Sequence, residues 1–446
     1  MQPAAAQTGN WMKNSPKYQM LLVFLLSLNF GIVFFDRQAL GALMPFIQPE
    51  LGLSGGQIGI IAGGMSFSWA IAAFFVGRLS DSMGKRKILL ITSTVAFSLC
   101  SFISGLATSF LFLFAARLLM GAAEGGVMPI SHAMVASEVD PKHRGLAQGV
   151  AQNLGSNLLG SFAAPVVLVA VAQMFSWREA FYFAALPGLL SAALIWFMLE
   201  EPEGLKSEPK IDRPLGESFM IHLAEVRSVM AVRNMWICVV VGILLVAHFL
   251  ITFTFLPLFL EQQRGLEADS WKWVIGALGV AAAIYSFVVS GLSDKIGRKP
   301  VMVWLPFLSL VGPIGLLTLD PAAYDAFGIA PFSWLQIAGY GVVLIPIIFI
   351  GWMVNGIFPI FMATIPSETF KPAQHAMVLG LAMGSCEALG GVFGPIIAGY
   401  FNDWYGPETF LYLMMGLSIA AGFISMGLKE TAPAVLKRRG VAAVEA

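Results

Sequence analysis

Charge is what this 446-residue chain has least of. Only 12% of its residues are Asp, Glu, Lys or Arg, against about 25% in ordinary soluble domains. A water-soluble fold of this size could not cover its surface with so few. That excludes a cytosolic enzyme, a nucleic-acid-binding protein and a disordered scaffold. The 26 basic and 26 acidic residues cancel, so no polyanion-binding character exists and no nucleic acid is expected as a partner. Cysteine is scarce too. Cys100, Cys238 and Cys386 each lie in an apolar run, with no Cys or His nearby at metal-ligand spacing. They read as small core residues, not as a disulfide framework or zinc site. The histidines (His132, His143, His222, His248 and His375) are scattered and form no HExxH-like pattern. No GxxxxGK[ST] occurs. Gly77 to Lys85 comes nearest, with the wrong spacing and with Arg86 next, so nucleotide-driven pumping has no support. Neither a metal nor an organic cofactor is expected, and without a catalytic constellation the chain reads as a non-enzyme. The first apolar run, from about Met20, is too long for a cleavable signal and lacks a small-residue cleavage site.

Apolar residues, at 57%, are abundant, and the mean hydropathy is +0.78. A helix crossing a bilayer needs about 20 mostly apolar residues. Twelve segments qualify: 20–44, 58–76, 88–106, 110–136, 147–170, 181–199, 236–260, 273–292, 301–319, 334–364, 378–400 and 409–428. The runs are continuous, without the period-2 alternation of a membrane barrel, so the expected class is an all-α membrane protein. Of the 26 Lys and Arg, only Arg178, Arg264 and Lys272 fall in loops on one side, and Arg37 and Arg117 lie within spans. The remaining 21 share the other side with both termini. The positive-inside rule makes that side cytoplasmic, in a plasma (inner) membrane, and the even span count agrees.

The stretch Glu200 to Asn234, with Pro202, Pro209 and Pro214, divides the spans six and six. The expected organisation is a cytoplasmic tail (1–17), a six-helix bundle (18–199), a cytoplasmic linker (200–234), a second bundle (235–430) and a cytoplasmic tail (431–446). His222 and Arg227 fit a short surface helix within the linker.

The two halves echo one another. At a constant offset of 230 residues, Gly121 meets Gly351, Gly126 meets Gly356, Pro129 meets Pro359, and Ser137-Glu138 meets Ser367-Glu368. Further on, Gly160 meets Gly390 and Pro165 meets Pro395. A second echo joins Gly77-RLSDSMGKRK-87 to Ser290-GLSDKIGRK-299, each following the second span of its half. Parallel six-helix repeats are what a two-bundle carrier is built from, with its site between the bundles near the midplane.

The loop Gly77-x-Leu79-x-Asp81-x-x-Gly84-Lys85-Arg86 resembles the signature loop of the major facilitator superfamily. Arg117-LLMGAAEG-125 resembles the fourth-helix signature of the same superfamily. The resemblance covers residues 18 to 430. It implies the major facilitator fold: twelve transmembrane helices in two pseudo-symmetric six-helix bundles, a rocker-switch secondary transporter by alternating access, with helices 1, 4, 7 and 10 lining a central cavity. Phe35-Asp36-Arg37 and Arg117…Glu124 look most like the anion:cation symporter branch. Asp36-Arg37 and Glu124 are also similar to Spinster-type lysolipid transporters.

Five ionisable groups fall inside spans: Asp36, Arg37, Arg117, Glu124 and Glu387. Each costs about 2.5–3.5 kcal/mol at a helix centre, so each must be paired and face protein or water. Asp36 and Arg117 lie about two turns from the outer ends of the first and fourth helices, so they share a depth and are expected to interact. Glu124, seven residues past Arg117, returns to nearly the same face roughly 10 Å deeper. Gly121 and Gly125 beside it leave room for a ligand or for a packed helix. An Arg fork suits a carboxylate or phosphate, and a carboxyl group withdrawn from water can exchange a proton in the physiological range. The expected roles are therefore proton coupling for Glu124 and Asp36 and substrate binding for Arg37 and Arg117, against a purely structural pairing of helices 1 and 4.

Under the same offset Arg117 corresponds to Ile347 and Glu124 to Val354, so those charges belong to one half. In the other half, His248 and Asn355 are the substrate-binding candidates; His248 alternatively serves as an interhelical donor. Glu387, aligned with Asn157, is an accessory proton site or structural. Phe34, Trp69, Phe249, Phe253, Trp352 and Phe358 are available to line an apolar part of the cavity or to pack. By family resemblance Asp81, in the loop with Gly77, Gly84 and Arg86, meets the positive end of a helix in the other bundle and locks the outward-facing state. Asp294 and Arg298 repeat that gate more weakly, with Ser290 in place of the leading glycine. Gly390-GVFGPIIAG-399 resembles an antiporter motif that belongs on helix 5, where Gly160-SFAAP-165 lacks the glycine before proline; this argues against drug:proton antiport.

The sequence thus points to a monomeric, proton-coupled symporter of a small organic anion (sugar acid or aromatic or aliphatic carboxylate) in the lipid bilayer, the proton being the coupling ion. The alternative is a Spinster-like carrier of anionic lysolipids.

Overall fold

The structure, a computed structural model, describes residues 15–140, 143–202, 226–321, 339–371 and 374–438; at residues 74, 77, 78, 81, 82, 144, 145 and 376 the backbone alone is described. His222 and most of the linker lie outside these residues. The described residues are helical, with no strand among them. Eleven helices are long and apolar enough to cross a membrane: α1 Pro16–Leu51, α2 Gly55–Met83, α3 Arg86–Gly105, α4 Phe110–Glu138, α5 Leu146–Met174, α6 Trp177–Met198, α7 Arg233–Gln262, α8 Ala268–Ile296, α9 Arg298–Thr318, α10 Gly339–Thr369 and α11 Met377–Tyr405. A shorter apolar helix, α12 Thr409–Ser425, completes the twelve expected.

Local chemistry sets the ends. The Ser109 side chain accepts from the Phe112 amide at 3.3 Å to start α4, and Ser176 does the same for Arg178 at 3.2 Å to start α6. Gly84 and Gly297 occupy equivalent places in the echoed loops with φ of 64° and 110°, a region where a Cβ is strained.

Several helices lose α-geometry along their spans, and proline lies at or just beyond many of the places. α4, expected as one continuous helix, is interrupted after Glu124, at Gly125-Gly126. Pro129 cannot donate to the Gly125 carbonyl, and the two glycines tolerate the bend. α10 tightens to a 3-10 turn over Trp352–Ile357, where Pro359 denies a donor to Asn355. α5 is π-wound over Ser156–Ala163 and α11 over Cys386–Gly391, ahead of Pro165 and Pro395.

The chain forms two compact units, Met1–Ala39 with Ser68–Lys210, and Leu40–Phe67 with Ile211–Ala446. Residues 40–67, the C-terminal end of α1 and the N-terminal part of α2, thus belong to the second unit. In the first unit α3 runs along α6, and Leu26, Phe97, Ile130, Met134 and Ile195 share one apolar core. α1 approaches α5 through Gly31, Gly155 and Gly160, where a Cβ would collide with Gly155, Ser27 and Phe34 respectively. In the second unit α7 packs along α12 and α11, and Gly390 and Gly394 bring α11 against Ile243 and Ala247 of α7.

Candidate transport site

Asp36 and Arg37 are neighbours in sequence but about 100° apart around α1, and they meet different surroundings. Asp36 is fully buried in the first unit. Its Oδ1 accepts from Ser101 Oγ on α3 at 2.8 Å and lies 3.9 Å from Arg117 Nη1 on α4. One helical repeat earlier on α1, Asn29 Oδ1 accepts from Thr94 Oγ1 (3.2 Å) and Ser191 Oγ (2.9 Å). The face carrying residues 29 and 36 therefore looks into the bundle, toward α3 and α6. The shared depth of Asp36 and Arg117 brings the two side chains together.

Arg117, a substrate-binding candidate, lies inside the first unit. No part of it is exposed. Its guanidinium carbon sits 4.6 Å from the Phe181 ring centre on α6, and Nη1 points at Met120 Sδ at 2.9 Å. Nε and Nη2 have no hydrogen-bond partner among the described residues, nor has Asp36 Oδ2. Arg117 faces inward because its helix face is the one turned toward α3 and α6, where it meets Asp36 and Phe181. Such a pair is expensive to desolvate but very costly to break by halves.

Arg37 is half-buried, its guanidinium 5.7 Å from the Phe34 ring and 5.8 Å from the Trp69 ring. Two aromatic faces hold the cation, about 100° around α1 from the Asp36–Arg117 lock. Glu124 is buried at the break in α4, within electrostatic range of Arg117. The glycine beside it serves packing: a Cβ on Gly125 would meet the Trp69 carbonyl and Ala72 of α2.

In the second unit His248 is buried and held by structure. Nδ1 lies 3.1 Å from Ser418 Oγ and 3.4 Å from the Met414 carbonyl on α12, and Ser418 Oγ lies 2.9 Å from Ser309 Oγ on α9. These contacts tie α7 to α12, with α9 behind, as the interhelical-donor reading of His248 expects. Asn355 lies in the 3-10 turn of α10, its Nδ2 3.4 Å from the Trp352 carbonyl. Trp352 packs with Phe249 (5.8 Å) and Phe253 (5.7 Å) of α7, so these aromatics do pack α7 on α10. Glu387 sits in the π-wound segment of α11, its carboxylate beside Gly391, where Ser66 of α2 and Leu250 of α7 also converge.

Of the gate residues, Asp294 and Arg298 come together. Arg298 Nη2 is 2.6 Å from Asp294 Oδ1 and 2.8 Å from Glu368 Oε1, and Glu430 Oε1 accepts from the Arg298 amide at 2.8 Å. Thr431 Oγ1 donates to Glu368 Oε2 at 2.6 Å. Glu368 was visible in the repeat as the partner of Glu138, yet nothing in the spacing assigned it a partner. Arg86 is buried and donates to the Ala133 carbonyl of α4 at 3.0 Å, so it fastens α3 to α4 within one unit. The Asp81 side chain lies outside the described residues. No group of three or more His, Cys, Asp or Glu able to hold a metal occurs among the described residues.

Twelve apolar helices, a six-plus-six repeat and charges gathered inside the spans define a polytopic membrane protein of the carrier type. A model of the Major Facilitator Superfamily matches residues 26–350, and the chain belongs to that superfamily. It is 28% identical to the hexuronate transporter of Bacillus subtilis (90% of this chain, 92% of that one). It is 24% identical to the probable sulfoacetate transporter SauU of Cupriavidus necator (93% and 94%) and 25% to the gentisate transporter of Corynebacterium glutamicum (90% and 87%). Among solved structures it resembles a D-xylose-proton symporter (TM-score 0.68, 17% identity, 92% and 98%). It also resembles a bacterial homologue of the human lysosomal transporter Spinster, inward-facing and unoccupied (TM-score 0.64, 19%, 93% and 94%). At these identities the two structures show the major facilitator fold.

Proposed function

We propose that this transporter carries a small organic anion together with a proton, by alternating access. The observation that carries the reading is the division of labour on α1. Asp36 is spent on Ser101 and Arg117 inside the bundle, whereas Arg37 keeps partial exposure between two aromatic faces. A guanidinium so placed attracts a carboxylate, and its fork fixes the carboxylate's orientation. Hexuronate, sulfoacetate and gentisate, named for three relatives, are all organic anions, which supports the substrate class.

Glu124 is the coupling carboxylate in this reading. It ends a helical segment at a break, where a small backbone adjustment changes its surroundings. Protonation removes a negative charge from the region of Arg37 and Arg117 and so favours anion entry. Asp36 becomes a structural carboxylate, and Glu387 an accessory site on α11.

The test is transport in proteoliposomes. Labelled glucuronate, gentisate and sulfoacetate are supplied in turn, with and without an inward proton gradient. The reading expects at least one to accumulate, and only with the gradient. Accumulation indifferent to the gradient removes proton coupling. Failure of all three, with a lysophospholipid transported instead, replaces the reading by the Spinster-like one.

A further inference from the structure

The outer ends of α1, α2, α7 and α11 lie together in the second unit, and one carboxylate there has no role in anything described so far. Asp403, in the last turn of α11, accepts from the Gly55 amide on Oδ1 and from the Gly56 amide on Oδ2, both at 2.7 Å. These are the first amides of α2, which lack acceptors in their own helix and carry its positive end. Yet α2 is already capped. Ser54 Oγ accepts from the Gln57 amide at 3.2 Å, and Gln57 Oε1 accepts from the Ser54 amide at 3.0 Å, a reciprocal capping box. Starting α2 does not need Asp403. What the carboxylate adds is a tie between α2, from the first half of the chain, and α11, from the second.

Beneath the tie, α2 and α11 run in close glycine contact. Gly55, Gly59 and Gly63 of α2 lie so close to the backbone carbonyls of Gly399, Pro395 and Val392 that a Cβ on any of them would collide. Two helices meeting through glycine have no interlocked side chains to withdraw. Beside them, Gln262 Nε2 donates to Gln48 Oε1 at 2.8 Å, joining α7 to α1. A cavity of about 110 Å³ opens among these ends, lined in part by Gln48, Gln262, Gln263, Asn402 and Asp403, with room for several waters. Water can replace each polar bond as it breaks. Asp403 is exposed, and no basic residue pairs with it among the described residues.

We propose that Asp403 is the latch of the outer gate. Its carboxylate clamps the N-terminus of α2 to α11 while the exterior is shut, and its release opens the carrier outward. The inference rests on the alternating-access reading, but its test does not require a known substrate. Spin labels at exposed Thr108 and Glu267, each replaced by Cys with the native cysteines removed, report opening of the outer face by pulsed electron resonance. D403A should raise the population at the longer separation roughly three- to tenfold, and D403N should do so in part, because the lost term is a charged helix cap. Gel-filtration profile and melting temperature should be unchanged, since the Ser54–Gln57 cap remains. An unchanged distance distribution in a folded D403A protein overturns the latch, even if anion uptake is intact. A shifted distribution supports it, even if none of the anions is carried.

Discussion

The α4–α5 and α10–α11 pairs, related by the 230-residue repeat, lose regular geometry at the same places. α4 breaks after Glu124 and α10 tightens over Trp352–Ile357; α5 and α11 are π-wound over Ser156–Ala163 and Cys386–Gly391. The backbone disturbance is written by prolines and glycines that both halves keep. The charges are not shared. Arg117 and Glu124 face Ile347 and Val354 across the repeat, and Glu387 faces Asn157. Bent helices are therefore common scaffold, whereas the charges within the spans differ between the halves.

This contrast can be broken by experiment. The largest effect is expected from Arg117→Met alone, which strands Asp36 as an uncompensated buried charge and should cost about 3–5 kcal/mol in thermal denaturation. Adding Asp36→Asn should restore most of that, because a buried pair replaced by neutral groups is often tolerated; a double variant as unstable as the single one would deny the lock. Moving charge to the other half by Val354→Glu puts a carboxylate at a buried α10 position without a partner. A loss of about 2.5–3.5 kcal/mol is expected on insertion scales, read as melting temperature and yield. Glu124→Gln should erase gradient-driven accumulation, up to about tenfold per pH unit for one coupled proton, while anion exchange without a gradient persists. For Arg37→Ala the expectation is a KM raised about tenfold, as for a lost charge-assisted bond, with Arg37→Lys recovering part of it. Smallest is Ser101→Ala, which removes the hydroxyl that donates to Asp36 and should cost about 1 kcal/mol of stability with KM unchanged.

The fold was legible because bilayer physics leaves few options. Twelve runs of sufficient length, a basic side and a repeat specify spans and connectivity. The break at Glu124 was hidden by a hydrophobic run that continues through Gly125-Gly126, although Pro129 in both copies of the repeat was its mark. The Asp36–Arg117 contact could be read from depth, since both lie two turns from an outer end. Which way each side chain turns could not: a 3.6-residue period separates Asp36 from Arg37 by about 100° but does not say which neighbour occupies each direction. For the same reason the contacts of Arg117 with Phe181 and of His248 with Ser418 could not be read from the sequence. Asp403 was missed because a carboxylate at a span end looks like ordinary boundary chemistry until the facing amides of α2 are known.

Internal pH settles the central claim most directly. Liposomes holding the transporter and a trapped pH-sensitive dye are given glucuronate, gentisate or sulfoacetate outside, with no pH difference imposed. If Arg37 anchors the anion and Glu124 carries the proton, the transported anion acidifies the interior in the wild type, whereas Glu124→Gln admits labelled anion by exchange without acidification. Anion entry that leaves the wild-type interior unchanged, or equal acidification by Glu124→Gln, contradicts the account.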